Sequence, residues 1–325
     1  MRARSLLWCA AAAVIASCGG SSGREPATPA GNEPTMAEGE ALIERGDFEK
    51  AAAAFERISK REPDNARAHY YLGVARKGRG DTAGAVKEYR LAIGYDANLS
   101  EAHNNLGLIL LEQGDLPNAE AELNTFIRQM KDDAGGEFNY GLVLAAMGRT
   151  ADAATHFEKA AALDPKDAAP WLSLGDLRRK AKDEKGALEM SRKAAAAAPG
   201  NPLPLLMQAE ALVAMKKPAD AIPILFAVGD MPEAKASELS TAGLLLARLD
   251  EQDRAVALYR AALAKDETYA TAHLLLANAL ARGREWAEAK AHYERFLVLS
   301  PDAPEAAEAR GRMAACEAKL AGGKK

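Results

Sequence analysis

Cysteine is scarce in this chain: there are three in 325 residues, at positions 9, 18 and 316, so packing and not a disulfide framework must hold the fold. Aromatic residues are few as well, 6% of the chain against 48% hydrophobic types. The apolar content is therefore mostly Ala and Leu, a mixture that favours helix. Cations do not outnumber anions, with 42 Lys and Arg against 46 Asp and Glu and a net charge of −4. That balance leaves no basic field to hold phosphates and argues against a nucleic-acid partner. The sequence has no strand–Gly-rich-loop–helix pattern, no GxSxG and no HExxH, so no catalytic, cofactor-binding or metal-ligating residue is assigned and an enzyme is not expected. The length suits two globular domains of about 150 residues or one long repeat array.

The N-terminus reads as an address. Arg2 and Arg4 precede an apolar stretch, Leu6–Ala16, which falls short of the roughly 18 residues needed to cross a bilayer and has the form of a signal-peptide core. The run that follows, Ile15-Ala16-Ser17-Cys18, resembles the lipobox of bacterial lipoproteins. The resemblance implies cleavage before Cys18 and lipid on its thiol and new amine, a tether strong enough for stable anchoring. Gly19 stands where an Asp would favour inner-membrane retention, which leans towards the periplasmic face of an outer membrane. With Cys9 removed and Cys18 lipidated, only Cys316 remains, among small residues, as a buried apolar side chain. Residues 19–34 have the Gly, Ser and Pro content expected of a flexible linker, whose reach would be about 20–24 Å.

The body has one internal period. A step of 34 from Ala51 lands on Ala85, Ala119, Ala153, Ala187, Ala221, Ala255 and Ala289. Twelve residues before each stands Gly39, Gly73, Gly107, Gly141, Gly175, Ala209, Gly243 or Ala277, all small. Four residues after come Phe55, Tyr89, Leu123, Phe157, Ser191, Leu225, Tyr259 and Tyr293, large and apolar except Ser191. A small residue on a first helix admits a second helix closely, the Ala occupies that contact, and the large residue one turn on fills the space between units. Turns at Gly46-Asp47, Gly80-Asp81 and Gly114-Asp115 separate the two helices of a unit, and Pro63, Pro165, Pro199 and Pro301 end second helices.

These residues resemble the tetratricopeptide repeat family. The resemblance implies an all-α fold, a right-handed superhelix (α-solenoid) of eight helix-turn-helix units with nominal starts at 32, 66, 100, 134, 168, 202, 236 and 270. The organisation expected is a signal peptide over 1–17, lipidated Cys18 and linker over 18–34, repeats over 35–303, and a capping helix with tail over 304–325. Thr35-Met36-Ala37-Glu38 has capping-box spacing and should start the first helix. Repeat six is the weakest, because Pro202, Pro204, Pro218 and Pro223 crowd it and Pro223 should shorten or kink its second helix.

Among polar candidates, Arg79-Gly80-Asp81 spells an adhesion tripeptide but falls on a turn that requires those residue types. His69, His103 and His273 occupy the fourth position of first helices, where the family favours Trp, and read as packing residues. In the family the concave groove is lined by the second, fifth, sixth, ninth, twelfth and thirteenth residues of first helices. Here that implies a partner-binding groove of Tyr70, Asn105, Leu108, Phe138, Asn139, Leu142, Asp176 and Arg179, with apolar anchors and polar groups for a peptide backbone. Asn105 and Asn139 are equivalent in neighbouring units and, facing an open groove, would hold successive peptide groups. A tight superhelix that packs part of this face on itself is the alternative. Tyr70 and Val74 stand where the chaperone-binding carboxylate clamp has Lys and Asn, so that specialisation is not supported. The expected role is a lipid-anchored scaffold for protein partners in the bacterial envelope, in assembly of a secretin, pilus, outer-membrane or polysaccharide-export machine. The alternative is an accessory subunit of an envelope enzyme such as a peptidoglycan synthase or hydrolase.

Overall fold

The computed structural model describes residues 34–322, and the signal segment, Cys18 and most of the linker lie outside them. Among the described residues there are seventeen helices and no strand. The chain divides into two compact units that meet in sequence at Asp164 and Pro165. In the first, α1 (Met36–Glu44) pairs with α2 (Phe48–Arg61), α3 (Ala66–Gly78) with α4 (Thr82–Tyr95), α5 (Ser100–Gln113) with α6 (Leu116–Gln129), and α7 (Ala134–Ala146) with α8 (Thr150–Leu163). In the second, α9 (Ala169–Lys180) pairs with α10 (Glu184–Ala197), α11 (Pro202–Ala214) with α12 (Pro218–Gly229), α13 (Ala236–Arg248) with α14 (Gln252–Lys265), and α15 (Ala270–Arg282) with α16 (Trp286–Leu299). A final helix, α17 (Ala306–Gly322), packs on α16.

Helix starts follow from side chains able to accept the unpaired first-turn amides. Thr35 forms a full capping box with Glu38, and Asp47, Asn65, Asp81, Asp133, Asp183 and Asn201 each accept a backbone N–H of the helix that follows. The turn inside each hairpin needs one left-handed residue at a fixed place. In the first unit Gly46, Gly80, Gly114 and Gly148 supply it with φ between +75° and +85°. In the second, Lys182, Lys216, Asp250 and Arg284 take the same place with φ from +59° to +67°.

Packing explains the period. All eight alanines of the 34-residue series are 0% exposed. A Cβ added at Gly73, Gly107, Gly141 or Gly243 would lie 2.6 Å from Tyr89, Leu123, Phe157 or Tyr259 respectively, so in these four hairpins the filling side chain takes the space of a Cβ, whereas repeats six and eight carry Ala209 and Ala277 at the same place. Repeat five departs from this: Ser191 is fully buried, its hydroxyl donates to the Leu188 carbonyl at 2.9 Å, and the space above Gly175 is taken by the Met207 thioether from the next hairpin. An unbranched thioether is suited to filling such a gap. In repeat six, α12 contains Pro223 and has 12 residues where the second helix of each other repeat has 14, so the shortening expected from its prolines is present.

Within each unit the first helices of successive hairpins touch one another, α1 with α3 and α5 with α7, then α9 with α11, α11 with α13 and α13 with α15. No second helix packs on the next second helix to that extent, which puts the first helices on the inner side of each unit. Helix α17 continues this series: Gly311 falls 34 residues after Ala277, and Ala306, Ala309 and Cys316 are buried.

Candidate functional site

On the inner side of the first unit the side chains of successive first helices meet with an offset of one residue, the fifth position of one repeat facing the sixth of the next. The Asn105 amide Nδ2 lies 3.5 Å from the Tyr70 hydroxyl and 3.5 Å from the Tyr89 hydroxyl, both at the outer limit of hydrogen bonding. One repeat on, Asn139 Nδ2 donates to Asn104 Oδ1 at 3.0 Å with both side chains buried. Further along the same helices Lys77 pairs with Glu112 at 2.5 Å.

Around this row stands an aromatic cluster. Tyr71 stacks on Phe55 with ring centroids 5.2 Å apart, Tyr70 meets Tyr71 edge-on at 5.0 Å, and the Arg67 guanidinium lies 5.9 Å above the Tyr71 ring. Burial pushes the Tyr70 phenol up to about 12, so it stays a neutral donor at any working pH. Leu108, Phe138 and Leu142 are half-buried, and the Phe138 ring leans on Phe157 at 5.5 Å. Each keeps an apolar edge accessible. This is the character of an interface anchor held in place before a partner arrives.

One expectation needs correction. Asn105 and Asn139 do not stand side by side as equivalent water-facing amides: Asn139 is 7% exposed and its donor is used by Asn104, whereas Asn105 is half-buried and its amide oxygen accepts no bond from any described residue. The offset aims both at the preceding first helix, and the residue met there makes the difference: Asn139 finds the buried Asn104 carboxamide at 3.0 Å, Asn105 the Tyr70 hydroxyl at 3.5 Å.

Asp176 and Arg179 belong to the second unit. Asp176 is buried and holds both Arg179 and Lys180, the latter at 2.6 Å, which makes it the centre of a local ion pair. Tyr70, Asn105, Leu108, Phe138, Asn139 and Leu142 therefore share one unit and the two charged residues another.

The histidines are more than packing residues. In each case Nε2 meets a carbonyl six residues back and Nδ1 meets a side chain nineteen residues ahead. His69 joins Pro63 O at 2.9 Å to Glu88 at 2.7 Å, and His103 joins Ala97 O at 3.1 Å to Glu122 at 2.6 Å. His273 joins Glu267 O at 3.0 Å to His292 at 2.8 Å. In repeat four the pair is reversed, with Glu137 on the first helix and His156 on the second, 2.6 Å apart. In repeats five to seven the same two places hold Trp171 and Met190, Leu205 and Ile224, Leu239 and Leu258. The signal available in the sequence was this 19-residue spacing, repeated at 34 and inverted once. The bridges of His69, His103 and His273 each tie the segment after one second helix, the next first helix and its partner together, whereas the Glu137–His156 pair joins the two helices of its own hairpin. These contacts are structural, and no group of three or more His, Cys, Asp or Glu suited to a metal ion occurs among the described residues.

Tandem helical hairpins, repeated at 34 residues with their first helices on the inner side of each unit, define a helical-repeat protein. The tetratricopeptide repeat profile matches residues 36–99, 76–134, 139–202, 240–304 and 274–320, well over half of the sequence, and the chain belongs to that family. The stretch left unmatched between 202 and 240 is the proline-rich sixth repeat. Among solved structures the chain is similar to a tetratricopeptide repeat protein from Parabacteroides merdae, with 17% identity, a TM-score of 0.59, and coverage of 75% of this chain and 97% of that one. It is also similar to PilW, described as a widely conserved type IV pilus biogenesis factor, at 16% identity and a TM-score of 0.55, with 61% and 92% covered. PilF of Pseudomonas aeruginosa gives 23% identity and a TM-score of 0.52, with 60% and 88% covered. At these identities the likeness is one of fold. No curated protein matches the chain.

Proposed function

We propose that this protein is a lipid-anchored scaffold of the bacterial envelope that holds a segment of a partner protein on the inner side of its first unit. The observation that carries this reading is the set of half-buried anchors, Tyr70, Leu108, Phe138 and Leu142, pre-positioned by Tyr71, Phe55 and Phe157 beside the underused Asn105 amide. Apolar side chains of the partner take the anchors, and a peptide group donates to the Asn105 oxygen. The role is binding and not catalysis. The lipid anchor rests on Ile15-Ala16-Ser17-Cys18 after a short apolar core, and the pilus factors among structures of this fold make assembly of an envelope machine the favoured setting.

Two measurements test the proposal. Cys18→Ser should release the protein from the membrane fraction, and retention with unchanged migration would refute the anchor. The mature protein, used as bait against solubilised envelope, should retain a partner that Tyr70→Ala and Leu108→Ala lose, each weakening capture by about five-fold or more. Secretin or barrel components among the captured proteins support the scaffold, whereas murein synthases or hydrolases support an accessory role to an enzyme. Undiminished capture by both variants would move the interface off this face.

A further inference from the structure

The second unit carries a cavity of about 280 Å³ between α15, α16 and α17, lined by Asn278, Arg282, Trp286, Tyr293, Arg312 and Cys316 among others. Its floor is tightly organised. The Tyr293 hydroxyl donates to Asn278 Oδ1 at 2.6 Å, Arg312 Nη1 donates to the same oxygen at 2.8 Å, and Arg312 Nη2 is held by Glu308 at 2.5 Å. This fixes one guanidinium at the cavity wall. Arg282, on the same wall, has no hydrogen bond or ion pair with any described residue, and neither has Arg248, the residue 34 positions earlier on α13. Both arginines lie close enough to Tyr259 to draw its burial-raised phenol pKa back down. Three guanidiniums thus lie on the inner helices α13, α15 and α17: Glu308 fixes Arg312, Glu210 of α11 lies near enough to Arg248 to feel its charge, and Arg282 makes no ion pair with a described residue.

We propose that this face binds an acidic peptide segment, one carboxylate entering the cavity between Arg282 and Arg312 and a second meeting Arg248. The planar fork of arginine matches a carboxylate in two hydrogen bonds, and the indole of Trp286 with the small side chains of Ala281 and Ala315 accepts the methylenes that carry it. Spacing follows from geometry. Packed helices lie about 8–10 Å apart, and an extended chain advances about 3.3 Å per residue, so the two carboxylates belong about three residues apart. A polyanion such as a nucleic acid is disfavoured by the chain's own net charge of −4. The site lies wholly in the second unit and does not depend on the anchors of the first.

The test uses the full chain and an acetylated, amidated nonapeptide of Ala and Leu with Glu at its third and sixth positions, followed by anisotropy of a dye on the peptide and by Trp286 fluorescence. The Glu peptide should bind, with an affinity that falls as salt is raised. Replacing both Glu by Gln, or Arg282 by Gln, should weaken binding about ten-fold, with Arg282→Lys intermediate and Arg248→Gln a smaller loss. Trp286→Phe should abolish the fluorescence change and keep the anisotropy change. Circular dichroism should show Arg282→Gln folded, since that side chain is exposed. Equal binding of the Glu and Gln peptides, unchanged affinity in Arg282→Gln, or binding only when the amide is replaced by a free C-terminal carboxylate would each overturn the proposal, as would failure of the Glu peptide to bind at millimolar concentration.

Discussion

His103 and His292 respond to acid in opposite senses. Hydrogen bonding to Glu122, opposed by burial and helped by the Ala97 carbonyl, holds the His103 imidazole above its ordinary value. A raised folded-state value means that its stabilisation is complete below about pH 6.5 and is lost as pH rises through the folded value. Burial, and next the neighbouring His273, hold His292 below its ordinary value. Its contribution is complete above about pH 6.5 and is lost as pH falls through the folded value. Melting curves from about pH 8 down to about pH 5.5 should therefore show His103→Gln falling progressively behind the parent, while His292→Gln gains on it. Parallel curves would show that neither pair is coupled to folding. The alanine series was legible residue by residue because a fully enclosed helix contact tolerates nothing larger. The histidines are buried packing residues as read, but their bridges were not legible, because a single imidazole at a position favouring Trp looks like one more ring and its partner lies nineteen residues away. Asn139 was misplaced for a related reason: the period says which residues are equivalent but not what each meets on the preceding helix, which is Tyr70 for Asn105 and Asn104 for Asn139.

The hairpin is the element at which sequence and structure agree best, and its turn shows where reading by residue type ends. Gly80 and Gly114 announce their turns, but Lys182, Lys216 and Arg284 adopt the same left-handed backbone with no glycine to signal it. A side chain in that region costs about 1–2 kcal/mol, and glycine returns about 0.5–1 kcal/mol of that as unfolded-state entropy. Lys182→Gly and Arg284→Gly should therefore raise stability by up to about 1 kcal/mol, and Gly114→Ala should lower it by about 1 kcal/mol, in denaturant titrations. A loss of stability on Arg284→Gly would mean that its side chain makes a contact worth more than the strain. The interior of the hairpin predicts the opposite kind of sensitivity. Ala119→Leu and Ala153→Leu overfill a contact that leaves each alanine 0% exposed, and each should cost about 1–3 kcal/mol by the same titration. Wild-type stability in both would show that the helices can separate without penalty. Repeat five, where Met207 reaches back to serve Gly175, was not readable from its own 34 residues, because the filling atom belongs to the next hairpin.

At the scale of the molecule, eight hairpins follow one another with no residue inserted or lost between the alanines of the series, and within each unit a hairpin touches mainly its neighbours. Stability in such an array is close to a sum over units and the contacts between adjacent units. Excision of residues 100–133 brings Leu99 to Ala134, an ordinary junction between a second helix and the next first helix, and should leave a cooperative helical protein with a lower denaturant dependence in proportion to the surface removed. Removal of 117–133 instead leaves a first helix without its partner and should produce a broad, poorly cooperative transition. The C-terminal helix was legible as a cap, while its place as a ninth inner helix became evident only from what it buries. The unbroken register has a consequence for heredity. Because the same position recurs in every unit, unequal exchange between two repeats of the coding sequence yields another in-register array, longer or shorter by whole hairpins. A lineage carrying this sequence can change the reach of the scaffold by counting repeats, with no new fold to discover at any intermediate length.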